Sequence, residues 1–318
     1  MQAPVVSVIV PNYNHAGFLS RRLESIINQT YQEFELIILD DRSTDNSAEI
    51  IESYRSHIKV THICYNQTNS GSPFVQWKMG IDLAQGKYIW IAESDDYADV
   101  NFLETLINSI EGDSVVMAYT NSYIVENDKI DELSTTSAYY NTFFETTRWQ
   151  TDYLAEGEDE LNNFLGGFCT IANASSCLFL RSAFPVDRQD ELKKFKYCGD
   201  WFTWIEICKK GGLKYISTPL NYFRIHDQST VRNFEKVRKA KELYSCLIHA
   251  RELTNGRSLV PKKTLDILFY MWCYDSLYFF FKNFDIKILR MHFKLDVGFF
   301  GRMRSLFTRY YRGKFKLT

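Results

Sequence analysis

Through its first 110 residues the chain alternates short apolar runs with segments of helical period. "VVSVIV" (Val5–Val10) reads as a strand, and in "FLSRRLESIINQ" Leu19, Leu23, Ile26 and Ile27 share one helical face. "FELIILD" (Phe34–Asp40) reads as a buried strand. "STDNSAEIIESY" then predicts a helix capped by Ser43 or Thr44, with Ile50, Ile51 and Tyr54 turned inward. The unit repeats: strand over Ile58–Tyr65, helix over Phe74–Ala84, strand over Tyr88–Ala92, helix over Val100–Ile110. Repeated β/α units predict an α/β fold whose mainly parallel central sheet carries helices on both faces.

After a strand at Ser114–Tyr123 the regular pattern fades, and residues 126–160 read as long loops with short helices. The acidic run "EGEDE" (Glu156–Glu160) reads as a solvated surface. Order returns as a strand at Ser175–Leu180, a helix at Trp201–Lys210 closed by Gly211 and Gly212, and strands at Leu213–Ile216 and Tyr222–Ile225. From Asn233 onward the pattern is helical. A catalytic or binding domain over residues 1–232 with a helical C-terminal region over 233–318 is the organisation this predicts.

Composition narrows the class. A chain of 318 residues with 45% hydrophobic and 24% charged residues is built to fold, and a formal net charge of −2 supplies no field to gather nucleic acid. Seven scattered cysteines, odd in number and without a C-x-x-C pair, suit a reducing cytoplasm better than a disulfide or zinc framework. The run Val5–Val10 is too short for a signal peptide. The aromatic-aliphatic stretch Leu268–Phe281 is broken by Asp275 and falls short of the roughly 20 apolar residues of a membrane span. From Gly298 to Thr318, however, Arg302, Arg304, Arg309, Arg312, Lys314 and Lys316 are interleaved with Phe299, Phe300, Phe307, Tyr310, Tyr311 and Phe315, without an acidic residue. That mixture suits peripheral contact with an anionic membrane surface, and basic residues among aromatics also suit nucleic acid. Cysteine usage makes the cytoplasm the expected location.

In open α/β sheets, ligands bind beyond the carboxyl ends of the strands. Three such ends carry polar groups here: "PNYN" (Pro11–Asn14), "DD" (Asp40, Asp41) and "ESDD" (Glu93–Asp96). One Asp pair serves equally well as a cap or turn former. Two pairs in one crevice repel, and a hard divalent cation, Mn2+ or Mg2+, with substrate phosphates would complete such a site. The first strand has Pro11 and Tyr13 where a dinucleotide turn needs glycines, and there is no G-x-x-x-x-G-K-[ST] loop.

The segments "VSVIVPNYNHAGFLSRRLESIINQTYQEFELIILDDRSTDNS" and "GKYIWIAESDDY" resemble the N-terminal signature and the Asp-Asp motif of the inverting family-two glycosyltransferases with the GT-A fold. "CGDWFTWIEICKKG" is similar to the family's catalytic-base segment and "YFRIHDQST" to its closing Tyr-x-x-His-x-x-Ser stretch. The resemblance implies that Pro11, Tyr13 and Asp41 line the nucleoside pocket, that Asp40 is structural, and that Asp95 faces the ribose or a phosphate. It further implies that Asp96 holds the metal with His226 as a further candidate, and that Asp200 is the base. Where many members carry an Arg-Asn pair, this chain has Trp77 and Lys78, and Lys78 is the residue left to reach a phosphate. The implied donor is a nucleotide-diphosphate sugar, expected to be a UDP-sugar, and the acceptor a saccharide or lipid-linked saccharide; such acceptors at the cytoplasmic face favour a membrane over nucleic acid for the basic tail, and with it the inner face of the cell membrane as the expected location. A nucleotidyltransferase would share the carboxylates but needs a glycine-rich basic loop that "PNYNHAG" lacks, and a non-catalytic membrane scaffold would not need them.

Overall fold

The computed structural model describes residues 4–110, 114–126, 128–227, 229, 235–273 and 286–295, together with 300, 301, 303, 304 and 308. Its first half is a run of strand and helix: β1 (Val6–Asn12), α1 (Ala16–Ile27), β2 (Phe34–Asp40), α2 (Ser47–Ser53), β3 (Val60–Tyr65), α3 (Pro73–Leu83) and β4 (Tyr88–Ile91). The short β5 (Tyr97–Ala98), α4 (Phe102–Ser109) and the long β6 (Val115–Glu126) follow. Then come β7 (Lys129–Thr135), α5 (Thr136–Phe144), β8 (Tyr153–Ala155), α6 (Gly157–Asn163), β9 (Cys177–Leu180), α7 (Gln189–Leu192), α8 (Gly199–Cys208) and β10 (Gly212–Ile225). Helices α9 (Lys236–Leu253), α10 (Lys262–Cys273) and α11 (Ile286–Leu295) close the described chain.

The strands form one sheet in the order β3-β2-β1-β4-β9-β6-β10-β5, with β7 beside β6 and β8 beside β10. β1 to β4 are mutually parallel, β6 and β10 are parallel to each other, and β9 runs antiparallel between β4 and β6. The period-2 alternation of each buried strand sorts the core into two faces. Val8 and Val10 of β1, with Leu36 and Ile38 of β2, pack under Leu19, Leu23 and Ile26 of α1 and Leu103 and Leu106 of α4. Ile9, Ile37 and Leu39 face Phe74, Trp77 and Ile81 of α3, in a cluster that runs on to Trp204 of α8, Leu247 of α9 and Phe269 of α10. Both sides of β1, β2 and β4 are covered, which is why these strands read as nearly continuous apolar runs.

Several expectations need revision. Helix α2 starts at Ser47, because Ser43 and Thr44 are used elsewhere: their amides bond Asp40 Oδ1 and Asn14 Oδ1 at 2.8 and 2.7 Å, tying the loops after β1 and β2 together. Residues 126–160 are more regular than their polarity suggested, since β7 pairs back on β6 and β8 on β10. The two expected strands at 213–216 and 222–225 are one 14-residue strand, irregular around Pro219 where proline cannot donate to the ladder. Within "EGEDE", Glu160 is buried and salt-bridged to Arg148 at 2.6 Å, while Glu156, Glu158 and Asp159 are exposed as expected. No described helix is long and apolar enough to cross a membrane. Most of the basic, aromatic tail after Gly298 lies outside the described residues.

Gly80 lets α3 sit directly on β1, since a Cβ there would lie 2.4 Å from Ile9 Cγ2. Ile9 is β-branched and fully buried, so it has little room to yield. Gly80→Ala is therefore expected to lower stability by about 1–3 kcal/mol, the usual cost of overpacking, measured by urea unfolding; an unchanged midpoint would show that the helix shifts freely.

Candidate active site

Four strand ends and one helix start build the site. β1 runs through buried Pro11 and Asn12 to Tyr13, which is 46% exposed. Asn14 then adopts φ 55°, a left-handed conformation that asparagine tolerates better than most residues, and so turns His15 into position at the start of α1. His15 Nδ1 lies 2.8 Å from Ser94 Oγ, within the acidic turn that follows β4.

At the end of β2, Asp40 and Asp41 do different things. Asp40 accepts bonds from Asn12 Nδ2 at 2.8 Å and Ser43 N at 2.8 Å, which ties β1 to the loop after β2. The Asp41 carboxylate accepts from Asn66 Nδ2, Ser70 N, Ser70 Oγ and Gln76 Nε2 at 2.6–3.0 Å. It organises the loop leading into α3 and is almost fully enclosed.

The turn Glu93–Asp96 concentrates negative charge. Trp77 Nε1 donates to Glu93 Oε1 at 2.8 Å, and burial, with the neighbouring Asp95 charge adding to it, pushes the Glu93 carboxyl up to about 8. Asp96 points inward: its Oδ2 accepts from Asn173 Nδ2 at 2.8 Å and Ser175 Oγ at 2.7 Å, and its Oδ1 from Arg224 N at 3.0 Å. Burial, then the Asp95 charge, raises its carboxyl to about 6. Asp95 turns the other way, with Oδ2 3.1 Å from His226 Nε2, just past the end of β10. Burial pushes its carboxyl up, but the His226 bond and the neighbouring imidazoles outweigh that and hold it below the usual range.

One ligand atom each from His15, Asp95 and His226 can come together within 4.8 Å of one another, the group among the described residues that could hold a metal ion. Phe18 packs against His226, ring centroids 4.5 Å apart, and His15 meets the same ring edge-on at 5.6 Å. Burial lowers the pKa of His15, which favours the neutral imidazole a metal needs. Two imidazole nitrogens and one carboxylate suit a first-row ion such as Mn2+ better than Mg2+, which prefers oxygen throughout. The geometry brings Asp95 together with His226, while Asp96, the residue expected to hold the metal, accepts bonds from Ser175, Asn173 and the Arg224 amide.

His15 stands in "PNYNH" at a strand end, where only its neighbours Pro11 and Tyr13 match a family motif. Arg22 belongs to no motif either, and its one signal in the sequence is a cation on the apolar face of α1 between Leu19 and Ile26. Arg22 is fully buried, donates Nε to the Glu93 carbonyl at 2.8 Å and lies 3.9 Å from Asp96; burial brings its pKa down to about 10. Lys78 is ion-paired with Asp82 one turn along its own helix.

Asp200 sits in the first turn of α8, where its Oδ1 accepts the Trp201 amide at 2.7 Å. It is not the N-cap, which is Cys198. Burial raises its carboxyl to about 6, against the pull of the Trp201 amide and of Lys239. Helix α3 links it to the rest of the site, since Phe74 packs against Gly199, Gln76 bonds Asp41 and Trp77 bonds Glu93.

With this geometry in hand, comparison places the chain. The sequence profile described as Glycosyl transferase family 2 matches residues 7–183. Glycosyltransferase GlyG of Streptococcus pneumoniae serotype 4 is 38% identical over 122 residues, 37% of this chain and 39% of that relative, so the match spans well under half of it. S. aureus TarS 1-349 in complex with UDP-GlcNAc superposes with a TM-score of 0.58 at 17% identity, over 83% of this chain and 70% of that one. Mannosyltransferase PcManGT from Pyrobaculum calidifontis, in complex with GDP-Man and Mn2+, superposes with a TM-score of 0.54 at 18% identity, over 85% of this chain and 70% of that one. These two likenesses establish a shared GT-A-type fold. Because the profile covers more than half of its length, this chain belongs to glycosyl transferase family 2.

Proposed function

We propose that this protein transfers a sugar from a nucleotide-diphosphate sugar to an acceptor hydroxyl with inversion at the anomeric carbon, and that it uses a divalent metal. The observation that carries the reading is the convergence of His15, Asp95 and His226 at the ends of β1, β4 and β10. UDP-GlcNAc in TarS and GDP-Man with Mn2+ in PcManGT support a nucleotide-sugar donor and Mn2+ on the shared fold. A UDP-sugar is the donor of choice. Tyr13, the exposed residue beyond β1, with buried Pro11 and Asp41, would border the nucleoside, with Asp41 shaping the pocket through Ser70 and Gln76.

In this reading Asp200 takes the proton of the acceptor hydroxyl as that oxygen bonds to the anomeric carbon and the bond to the diphosphate breaks on the opposite face. His15, Asp95 and His226 would hold the metal, which when bound would supply positive charge to offset that gathering on the departing diphosphate. Arg22 and Arg224 hold the acidic turn in place behind those ligands. The acceptor is a saccharide or lipid-linked saccharide. The cationic, aromatic tail over residues 298–318 supports contact with an anionic membrane face, and residues 1–232 with 233–318 are the catalytic and accessory parts.

Asp200→Ala is expected to lower turnover by about 10² or more, followed as UDP release from UDP-glucose, UDP-galactose or UDP-N-acetylglucosamine. Because the base works only when ionised and burial raises Asp200 to about 6, turnover should fall as a one-proton limb when the pH drops through that value. Near-normal turnover in a folded Asp200→Ala protein rejects the assignment.

Chelation with EDTA is expected to abolish that release, and Mn2+ to restore it better than Mg2+. His226→Ala and Asp95→Asn should each cost on the order of 10² in turnover, and His15→Gln should raise the Mn2+ concentration for half-maximal rate. Chelator-resistant turnover would remove the metal from the proposal.

Vesicles containing phosphatidylserine are expected to float the full chain, and replacing Arg302, Arg304, Arg309, Arg312, Lys314 and Lys316 by Gln should leave it in the pellet; equal flotation rules out the anchor.

A further inference from the structure

The segment entering α8 is gripped by a helix from the C-terminal region. Arg238, Glu242 and Cys246 follow one another at intervals of four along α9 and so share a face. Glu242, only 8% exposed, accepts three successive backbone amides, from Lys196 at 3.0 Å on Oε1 and from Tyr197 and Cys198 at 2.7 and 3.1 Å on Oε2. Cys246 Sγ donates to the Cys198 carbonyl at 3.5 Å, and Arg238 to the Lys194 carbonyl at 3.5 Å. From the opposite side Ser72 Oγ donates to the Phe195 carbonyl at 2.8 Å.

Cys198 is the N-cap of α8, and its own side chain makes no capping bond. A helix start leaves free amides that favour a nearby anion. Glu242 supplies that anion from another helix and meets the N-cap amide itself, two residues before Asp200.

We propose that Glu242 is a positioning residue for Asp200, holding residues 196–198 so that the first turn of α8 presents its carboxylate to the acceptor. The proposal rests on reading Asp200 as the base. The titratable groups that act electrostatically on the Asp200 carboxylate or feel its charge are Lys239, Glu242 and Cys246 of α9, with Cys169 and Cys198. Among these, Glu242 adds to the rise caused by burial, and Lys239 opposes it. Glu242 thus acts on the base twice, through the backbone it holds and through its charge.

Glu242→Gln keeps the size of the side chain but loses the charge and one accepting oxygen. It is expected to reduce kcat on the order of tenfold, within the range by which small misplacements of a reacting group slow a reaction. The KM for the UDP-sugar should stay unchanged, and the acid limb of the pH profile should move to lower pH. Glu242→Asp keeps the charge with a shorter reach, so it should lower kcat while leaving the limb where it is. A folded Glu242→Gln protein with wild-type kcat and an unmoved limb overturns the proposal; if that variant does not fold, wild-type kcat in Glu242→Asp does the same. An active Asp200→Asn protein would instead sink the base assignment, whatever Glu242 does.

Discussion

Three carboxylates, Glu93, Asp95 and Asp96, stand in four consecutive residues at the end of a buried strand, and the rest of the site is arranged around making that tolerable. An uncompensated buried charge costs several kcal/mol. Compensation comes from opposite ends of the fold. Arg22 of α1 lies fully buried beneath the turn, and Arg224 of β10 gives its backbone amide to Asp96 and its Nη1 to the Asp95 carbonyl at 2.8 Å. Arg224 also lies over the rings of Phe18 and Tyr97, and Arg22 over Trp90. The acidic turn thus needs α1, β4 and β10 in place before it can form, which makes it a product of topology.

The same constraint divides labour between adjacent residues. With both Arg neighbours, Ser175 and Asn173 on its side, Asp96 is absorbed into the scaffold, and this leaves Asp95 to face the two imidazoles. Helix α3 extends the arrangement sideways. Within one turn its Phe74, Gln76 and Trp77 reach the start of α8, the Asp41 carboxylate and the Glu93 carboxylate. A rigid helix seated through Gly80 on β1 can hold three chemically distinct parts in register, which loops alone would do less well.

The C-terminal helices are part of this frame. Tyr244, Leu247, Leu268 and Phe269 belong to the same apolar cluster as Trp77 and Trp204. His249 of α9 lies 2.5 Å from Glu206 of α8 and stacks on Phe202, so the helix carrying Asp200 is clasped along its length as well as at its start. Composition and period read residues from 233 onward as a helical end, and its α9 and α10 pack into the apolar cluster that α3 and α8 share.

Sequence alone determined the β/α alternation, the two-sided burial of the sheet and the strand ends at which polar residues gather, because these follow from local period and from the chain's direction. The motifs also carried the family resemblance, which the profile over residues 7–183 bears out. It did not determine which of two neighbouring aspartates turns inward, that His15 meets His226, or that Glu242 holds the approach to Asp200. Those pairings join residues 211 and 44 positions apart, His15 to His226 and Cys198 to Glu242. Side-chain direction at a turn is set by partners that only the folded chain supplies, and no local pattern encodes them.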